Sequence, residues 1–223
     1  MKTPRSAQPR TSPRRSTKLK PRERLVTVAS KLFYQHGLRA TGIDWIIADA
    51  EVAKMSFYRH FPSKSHLIAE YLRLQHERWM KRLTMRMSLR QEQTAGAGGI
   101  EQLAEVLTAW FEEPDFRGCP FIKAQAEASA EDERVREMIR LHQRELESYL
   151  TDLLIQMGYA SPRSTAISVL VILQGSIVQA QISGDALSAG EACGAVLRRL
   201  SRMARRIEEG EDDVAEHQLL LAL

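Results

Sequence analysis

The chain has 223 residues, with 32 Lys and Arg against 28 Asp and Glu, a formal charge of +4 and 43% hydrophobic residues, enough for one large or two modest domains with a sizeable core. Two cysteines, Cys119 and Cys193, lie far apart and are expected to be reduced and packed, with a redox switch as the alternative. No zinc-type Cys/His spacing, glycine-rich phosphate loop, G-x-S-x-G or H-E-x-x-H occurs, so no catalytic residue, metal or cofactor is expected.

Charge is distributed unevenly. Lys2, Arg5, Arg10, Arg14, Arg15, Lys18 and Lys20 are accompanied by no acid, and Pro4, Pro9 and Pro13 fall among Ser and Thr residues. Residues 1–19 therefore read as a disordered basic arm, either a solvated leader or a tracker of phosphates. Ser12-Pro13-Arg14-Arg15 looks like a twin-arginine signal, but no apolar segment follows it, so export is not expected. No run approaching eighteen apolar residues is evident, so no membrane span is expected either.

Residues 22–36 are predicted to be helical, with Ala29, Leu32 and Phe33 inward and Gly37 as the left-handed stop. Thr41 reads as the cap of a second helix, and Asp44 three residues later completes a T-x-x-D pattern. Ile43, Ile46, Ile47 and Ala50 then fall on one apolar stripe. After a turn at Glu51, a very short helix carries Lys54, Ser56, Tyr58, Arg59 and His60 and is closed by Phe61-Pro62. Val52, Phe57 and Phe61 supply the matching apolar contacts, which leaves Lys54, Ser56 and Arg59 facing outward. A short rigid helix with donors on its exposed side fits a DNA major groove.

The run Ile47-Ala48-Asp49-Ala50-Glu51-Val52, then Ala53-Lys54-Met55-Ser56-Phe57-Tyr58-Arg59-His60-Phe61-Pro62-Ser63-Lys64 and Leu67, resembles the DNA-binding domain of the TetR/AcrR family of transcriptional regulators. The resemblance is close over residues 20–67 and architectural beyond them. It implies an all-α fold: an N-terminal three-helix helix-turn-helix domain over 20–66, with its motif at 42–61, and a C-terminal helical bundle over 67–207 for effector binding and dimerisation. It also implies that Lys54, Met55, Ser56 and Arg59 face base edges or flanking phosphates. By the same resemblance Tyr58, His60 and Lys64 contact phosphates, and Thr41 meets the DNA backbone at a helix end. Arg59 is the first choice for a guanine, because a bidentate pair contributes about 1–3 kcal/mol of discrimination. Two departures stand out. Glu51 occupies a turn position where the family usually has Gly, a cost of about 1 kcal/mol if the backbone is left-handed. Ala53 replaces a capping Ser, at about 0.5–2 kcal/mol.

Ser63 is expected to cap a long helix reaching about residue 91, with Leu67, Tyr71 and Leu74 on one stripe. Residues 94–99 form a flexible link, 100–111 a helix, 113–120 a turn, and a short helix follows through Ala128. The turn Phe116-Arg117-Gly118-Cys119-Pro120-Phe121 is similar to one that precedes a pocket helix in some of the family. A long helix over 132–157 comes next, and Ser161-Pro162 opens another that is apolar nearly all round. The final helix carries Val196, Leu197 and Leu200, with Arg198, Arg199, Arg202, Arg205 and Arg206 opposite. Residues 208–223 form an acidic tail that is either frayed or docked.

In the resembled family the last two helices pair between subunits, so Ile167, Leu170, Val171, Gln174, Val178, Val196, Leu197 and Leu200 are the expected dimer face. Trp79, Trp110, Phe111, Phe116, Phe121, Gln125, Met138 and His142 are the candidate effector-pocket residues. The function implied is a cytoplasmic, nucleoid-associated repressor of bacterial type. It would bind a palindromic double-stranded DNA operator as a homodimer and be released by a small-molecule effector, with no membrane partner and no enzymatic activity. A second reading, a helical ligand-binding or enzymatic protein whose N-terminal domain no longer reads DNA, rests on Glu51 and Ala53.

Overall fold

The computed structural model describes residues 19–93, 99–129 and 132–208, with side chains described as far as Met203. Nearly all of the expected basic arm, most of the 94–99 link and the acidic tail beyond Glu208 lie outside the described residues. Those described hold nine α-helices and no strand: α1 (Pro21–His36), α2 (Ile43–Asp49), α3 (Lys54–His60), α4 (Lys64–Gln93), α5 (Gln102–Phe111), α6 (Pro120–Glu127), α7 (Glu133–Gln156), α8 (Pro162–Ser183) and α9 (Ala186–Glu208).

The apolar stripes read from the sequence find each other. Leu25, Ala29 and Phe33 of α1, Ile46 of α2, Phe57 of α3 and Leu67 and Tyr71 of α4 close one core. Leu83 and Met87 of the same α4 join Leu103, Leu107, Leu150, Leu170 and Leu197 in a second. α4 thus passes from one core into the other. Phe121 and Ala124 of α6 and Val135 of α7 reach back into the first core. At the junction Glu70 accepts from Arg22 at 2.8 Å and from Arg73 at 2.9 Å; the two guanidiniums, Arg73 foremost, hold its carboxyl down to about 2.

One expected cap is corrected, and two others stand before their helices with hydroxyls that do not bond the helix backbone. Thr41 is fully buried and its hydroxyl donates to the Gly37 carbonyl at 2.8 Å, closing the left-handed end of α1, where Gly37 has φ 90°. Gly42 stands at the N-cap of α2 instead, with no side-chain bond. The hydroxyl of Ser161 makes no capping bond to α8, and that of Ser63 pairs with the His66 ring at 2.8 Å.

The expected lack of a long apolar run is also corrected. α8 is long and apolar enough to cross a membrane, with a mean hydropathy of 1.6 over its best eighteen residues. Its Ser and Gln residues interrupt the run to the eye but are outweighed by its Ile, Leu and Val residues. In the fold, 39% of that stretch is buried, on the side packed against α7 and α9.

α9 approaches α5 closely because Gly190 carries no side chain. A Cβ there would collide with the Thr108 hydroxyl, which is already bonded to the Ala104 carbonyl at 2.8 Å. Overpacking of about 1–3 kcal/mol then outweighs the roughly 1 kcal/mol of helix propensity that Ala brings. Gly190→Ala is expected to lower the Tm, and adding Thr108→Ala is expected to restore it, as read by thermal denaturation of both variants.

Candidate nucleic-acid interface and ligand cavity

α2 and α3 are held at a fixed angle by the burial of Ile46, Ala50, Val52, Phe57 and Phe61. Between them Glu51 has φ 50°, the one positive φ outside glycine among the described residues, so the expected left-handed strain is present. Arg24 of α1 braces it, donating to the Glu51 carbonyl at 3.1 Å and lying 3.7 Å from its carboxylate. Ala53 sits at the N-cap of α3 and offers no side-chain bond.

The outer face of α3 carries Lys54, Met55 (76% exposed), Tyr58 and Arg59, with Ser56 and His60 half-buried beside them. Arg59 has no intramolecular partner among the described residues. Lys54 donates to Asp44 of α2 at 3.1 Å, and that hydrogen bond, with the carboxylate charge behind it, raises the pKa of Lys54. Lys64 heads α4, half-buried, and reaches the Arg39 carbonyl at 3.5 Å; burial lowers its pKa. Of the eight expected contacts, Lys54, Met55, Tyr58 and Arg59 are exposed, Ser56, His60 and Lys64 are half-buried, with His60 also lining a groove beside Arg22 and His66, and Thr41 is buried. Reasoning from sequence missed Arg24. It also missed Trp45, which is exposed on α2, donates to Asp49 at 3.1 Å and lies tilted against His36 at 4.9 Å between ring centroids. A Trp lying off the apolar stripe was the available signal.

A cavity of about 450 Å³ opens between α4, α6, α7 and α8. Trp79, Trp110, Phe121, Gln125 and His142 line it as expected, with Trp79 and Trp110 at 4.8 Å between ring centroids. Phe111 and Phe116 do not; they back Trp110 and line a neighbouring pocket with Arg117 and Lys123. Met138 faces a shallow groove with Arg22, His60 and His66 instead, because it lies on the side of α7 turned toward α4's first turns. Gln75, Arg78 and Arg82 were not anticipated, although with Trp79 they recur at helical spacing on α4. Arg82 is paired with Glu113 at 2.6 Å.

His142 is 6% exposed and stacks on Phe121, with 3.6 Å between ring centroids and 7° between planes. Its Nδ1 lies 3.0 Å from Nδ1 of His76, whose Nε2 is 2.8 Å from the Glu145 carboxylate. Burial, and then the neighbouring His76, push His142 down to about 3. Cys119 lines the same cavity, while Cys193 is buried in the second core. Neither is bonded to the other, and burial raises both thiols, which weakens the redox alternative because the thiolate is the reactive form.

α6 is fastened to the first core. The Tyr34 hydroxyl accepts from the Arg117 amide at 2.9 Å, and Lys123 donates to the Tyr34 carbonyl at 2.8 Å. Glu127 accepts from the Arg39 amide at 2.8 Å, and the Arg39 guanidinium donates to the Glu127 carbonyl at 2.9 Å.

On the outer side of α8, Ile167, Val171 (65% exposed), Val178 and Ile182 form an uncovered apolar stripe, continued on α9 by Leu187, Val196 and Met203. Leu170 and Leu197, expected on this stripe, are buried in the second core, and Leu200 is half-buried against it. Gln174 also turns inward, lining the cavity and donating to Gln143 at 2.9 Å. α8, apolar all round, gives its sequence no phase, which is why Leu170 and Gln174 were placed on the wrong side; on the amphipathic α9 the apolar face found by the pattern is the one that packs inward.

Two family models match the chain and together cover more than half of it: "Bacterial regulatory proteins, tetR family" over residues 25–71 and "Transcriptional regulator LmrA/YxaF-like, C-terminal domain" over 97–188. The HTH-type transcriptional regulator LmrA of Bacillus subtilis is 29% identical over 161 residues, 70% of this chain and 84% of the relative. An uncharacterized HTH-type transcriptional regulator of Lactococcus lactis is 24% identical over 74% of this chain and 85% of its own. The fold is shared with a TetR-family regulator from Streptomyces coelicolor (TM-score 0.69, 24% identity, 82% of this chain and 95% of that one). It is shared also with reduced NemR of E. coli (TM-score 0.67, 23% identity, 79% and 95%).

The strain at Glu51 is measurable. Glu51→Gly keeps the carbonyl that Arg24 grips and removes the cost of a Cβ at positive φ, so stability is expected to rise by about 1 kcal/mol. Chemical denaturation of the variant and the wild type checks this; an unchanged or lower midpoint would refute it.

Proposed function

Because the chain belongs to the TetR family of bacterial transcriptional regulators, whose members bind DNA, respond to small-molecule effectors and act as dimers, we propose that α3 is its recognition helix and the α4–α8 cavity its effector site. The observation that carries this is the division of α3 into two faces. Phe57 is fully buried behind it, while Met55, Tyr58 and Arg59 project from the other side. Lys54, Ser56, His60 and Lys64 complete the surface, from which phosphate contacts fix register and one or two side chains read base edges. Residues 20–66 form the reading unit and 67–207 the effector and dimer unit. The role is regulatory and not enzymatic, and it is exercised on DNA in the cytoplasm. The second reading, a domain that no longer binds DNA, loses its basis at Glu51: Arg24 supports the strained turn, and the geometry of α2 and α3 is kept.

The second copy is assigned to the outer face of α8 and α9. Gly175 lies on that face, exposed between Val171 and Val178, and a Cβ there would meet nothing within the chain. Gly in a helix interior costs about 1 kcal/mol against Ala, and nothing inside the protomer offsets it. Close approach of a partner helix does. A twofold through this face sets two recognition helices about 34 Å apart, one turn of DNA, and requires a near-palindromic operator. An effector that favours a different spacing of the two helices releases the DNA. A hundredfold loss of affinity needs a difference of only about 2.7 kcal/mol between the two forms.

On an operator selected from random duplexes by the full-length protein, Arg59→Ala is expected to weaken binding by about 1–3 kcal/mol, and to relax preference at one base pair of each half-site. Gel-shift titration reads both, and unchanged affinity with unchanged preference would remove Arg59 from the contact set. For the dimer, Val171→Glu is expected to halve the mass found by light scattering and to weaken operator binding with it. A variant that stays dimeric would move the interface elsewhere.

A further inference from the structure

Glu145, His76 and His142 form a chain of hydrogen bonds that ends at the cavity. The ionised carboxylate can only accept, so the His76 Nε2 beside it, at 2.8 Å, carries a hydrogen. A single hydrogen then lies between the two Nδ1 atoms, 3.0 Å apart. The remaining nitrogen, Nε2 of His142, has no intramolecular partner among the described residues, on a side chain that is 94% buried (6% exposed) and lines the cavity. This nitrogen is not sealed in the interior, so within the cavity it is accessible to a ligand group.

We propose that this relay sets the hydrogen-bonding polarity which the cavity presents to its effector, so that His142 Nε2 accepts a hydrogen bond before the relay is protonated and donates one afterwards. The inference rests on reading the cavity as the effector site. Before protonation His76 Nδ1 is bare, His142 donates to it through Nδ1–H, and His142 Nε2 is an acceptor. When a proton arrives on His142 Nε2 from the cavity, the Nδ1 hydrogen passes to His76. The charge then rests on His76 against Glu145, and His142 is left neutral with an Nε2–H donor. His142 keeps no charge in either state, in accord with its slot against Phe121, where burial disfavours the imidazolium.

The other ionisable groups lining the cavity are Arg78 and Arg82 of α4, Glu113 and Asp115 of the α5–α6 loop, Tyr34 of α1 and Cys119 at the head of α6. Arg82 and Glu113 neutralise one another, and α8 contributes only the amide of Gln174 among polar groups. The ligand class follows. It is a compact apolar ring system, seated against the Trp79–Trp110 pair, carrying an N–H or O–H for the unprotonated relay or a carbonyl for the protonated one.

The test uses nitrogen-detected NMR of the histidine rings in the full-length dimer, with indole (a donor) and 1-indanone (an acceptor of like size) as probes, at pH about 8 and about 5. His142 is expected to carry its hydrogen on Nδ1 at the higher pH and on Nε2 at the lower. Glu145→Gln, a half-exposed position that the fold tolerates, is expected to move that change to lower pH, because the carboxylate no longer favours the charged ring. Indole is expected to bind about fivefold better than 1-indanone at the higher pH and about fivefold worse at the lower, the worth of one hydrogen bond. A His142 that keeps one tautomer throughout, or probes whose order of affinity does not invert, overturns the proposal while leaving the effector site in place. If neither probe binds at either pH, the reading of the cavity falls together with the proposal.

Discussion

The position of Phe121 constrains most of what surrounds it. This one ring is buried in the core of the N-terminal helices, stacks face to face on His142 of α7, and forms part of the cavity wall. An aromatic of this size buries well over a hundred square ångströms, so it cannot be displaced from one of these settings without disturbing the others. The cavity wall and the packing beneath α3 are therefore parts of a single arrangement.

The consequence for signalling is mechanical. α6 is short, and its attachments to the first core are few: Lys123 to Tyr34, Arg117 to Tyr34, and the paired bonds between Glu127 and Arg39. Each bond contributes about 1 kcal/mol net, so the set can be exchanged for another within the differential affinity of an ordinary ligand. α4 is the opposite case. With Tyr71 buried in one core and Leu83 and Met87 in the other, it would have to move as a unit in the proposed mechanism. A change of tilt at its cavity half, where Trp79 and Arg82 sit, reaches Leu67 beneath α3 with little loss. Packed elements of this kind switch between arrangements and do not deform gradually.

Much of the fold was legible in the sequence because amphipathic helices announce their inner face. The stripe of Ile43, Ile46, Ile47 and Ala50 needed only the 3.6-residue period, and all four are at least half-buried. Thr41 and Asp44 show the limit. Their spacing is that of a capping pair, but a carbonyl left open at the end of α1 lay within reach of Thr41, and Lys54 lay within reach of Asp44. Local pattern does not disclose a competing partner brought by the turn. The relay was out of reach for a plainer reason. His76 and His142 are 66 positions apart, on helices whose relative rotation no single-sequence periodicity fixes, and only His142 stood among the expected cavity residues. The same lack of phase sent Leu170 and Gln174 to the wrong side of α8.

α8 joins the two halves of the proposed mechanism. Successive residues on a helix are about 100° apart, so Leu170, Leu173, Gln174 and Ile177 enter the cavity while Val171, Gly175 and Val178 emerge on the far side. The cavity wall and the proposed pairing face are thus two sides of one helix, separated by its own diameter of about 10–12 Å. In the proposed mechanism a ligand that draws the α8 backbone along at Gln174 would also move Val171 and Gly175. At Gly175 the proposed partner would touch the main chain itself, with no side chain to absorb the movement. In the proposed mechanism the ligand and the partner copy would therefore act on the same twenty-two residues, beside the path that α4 offers toward α3.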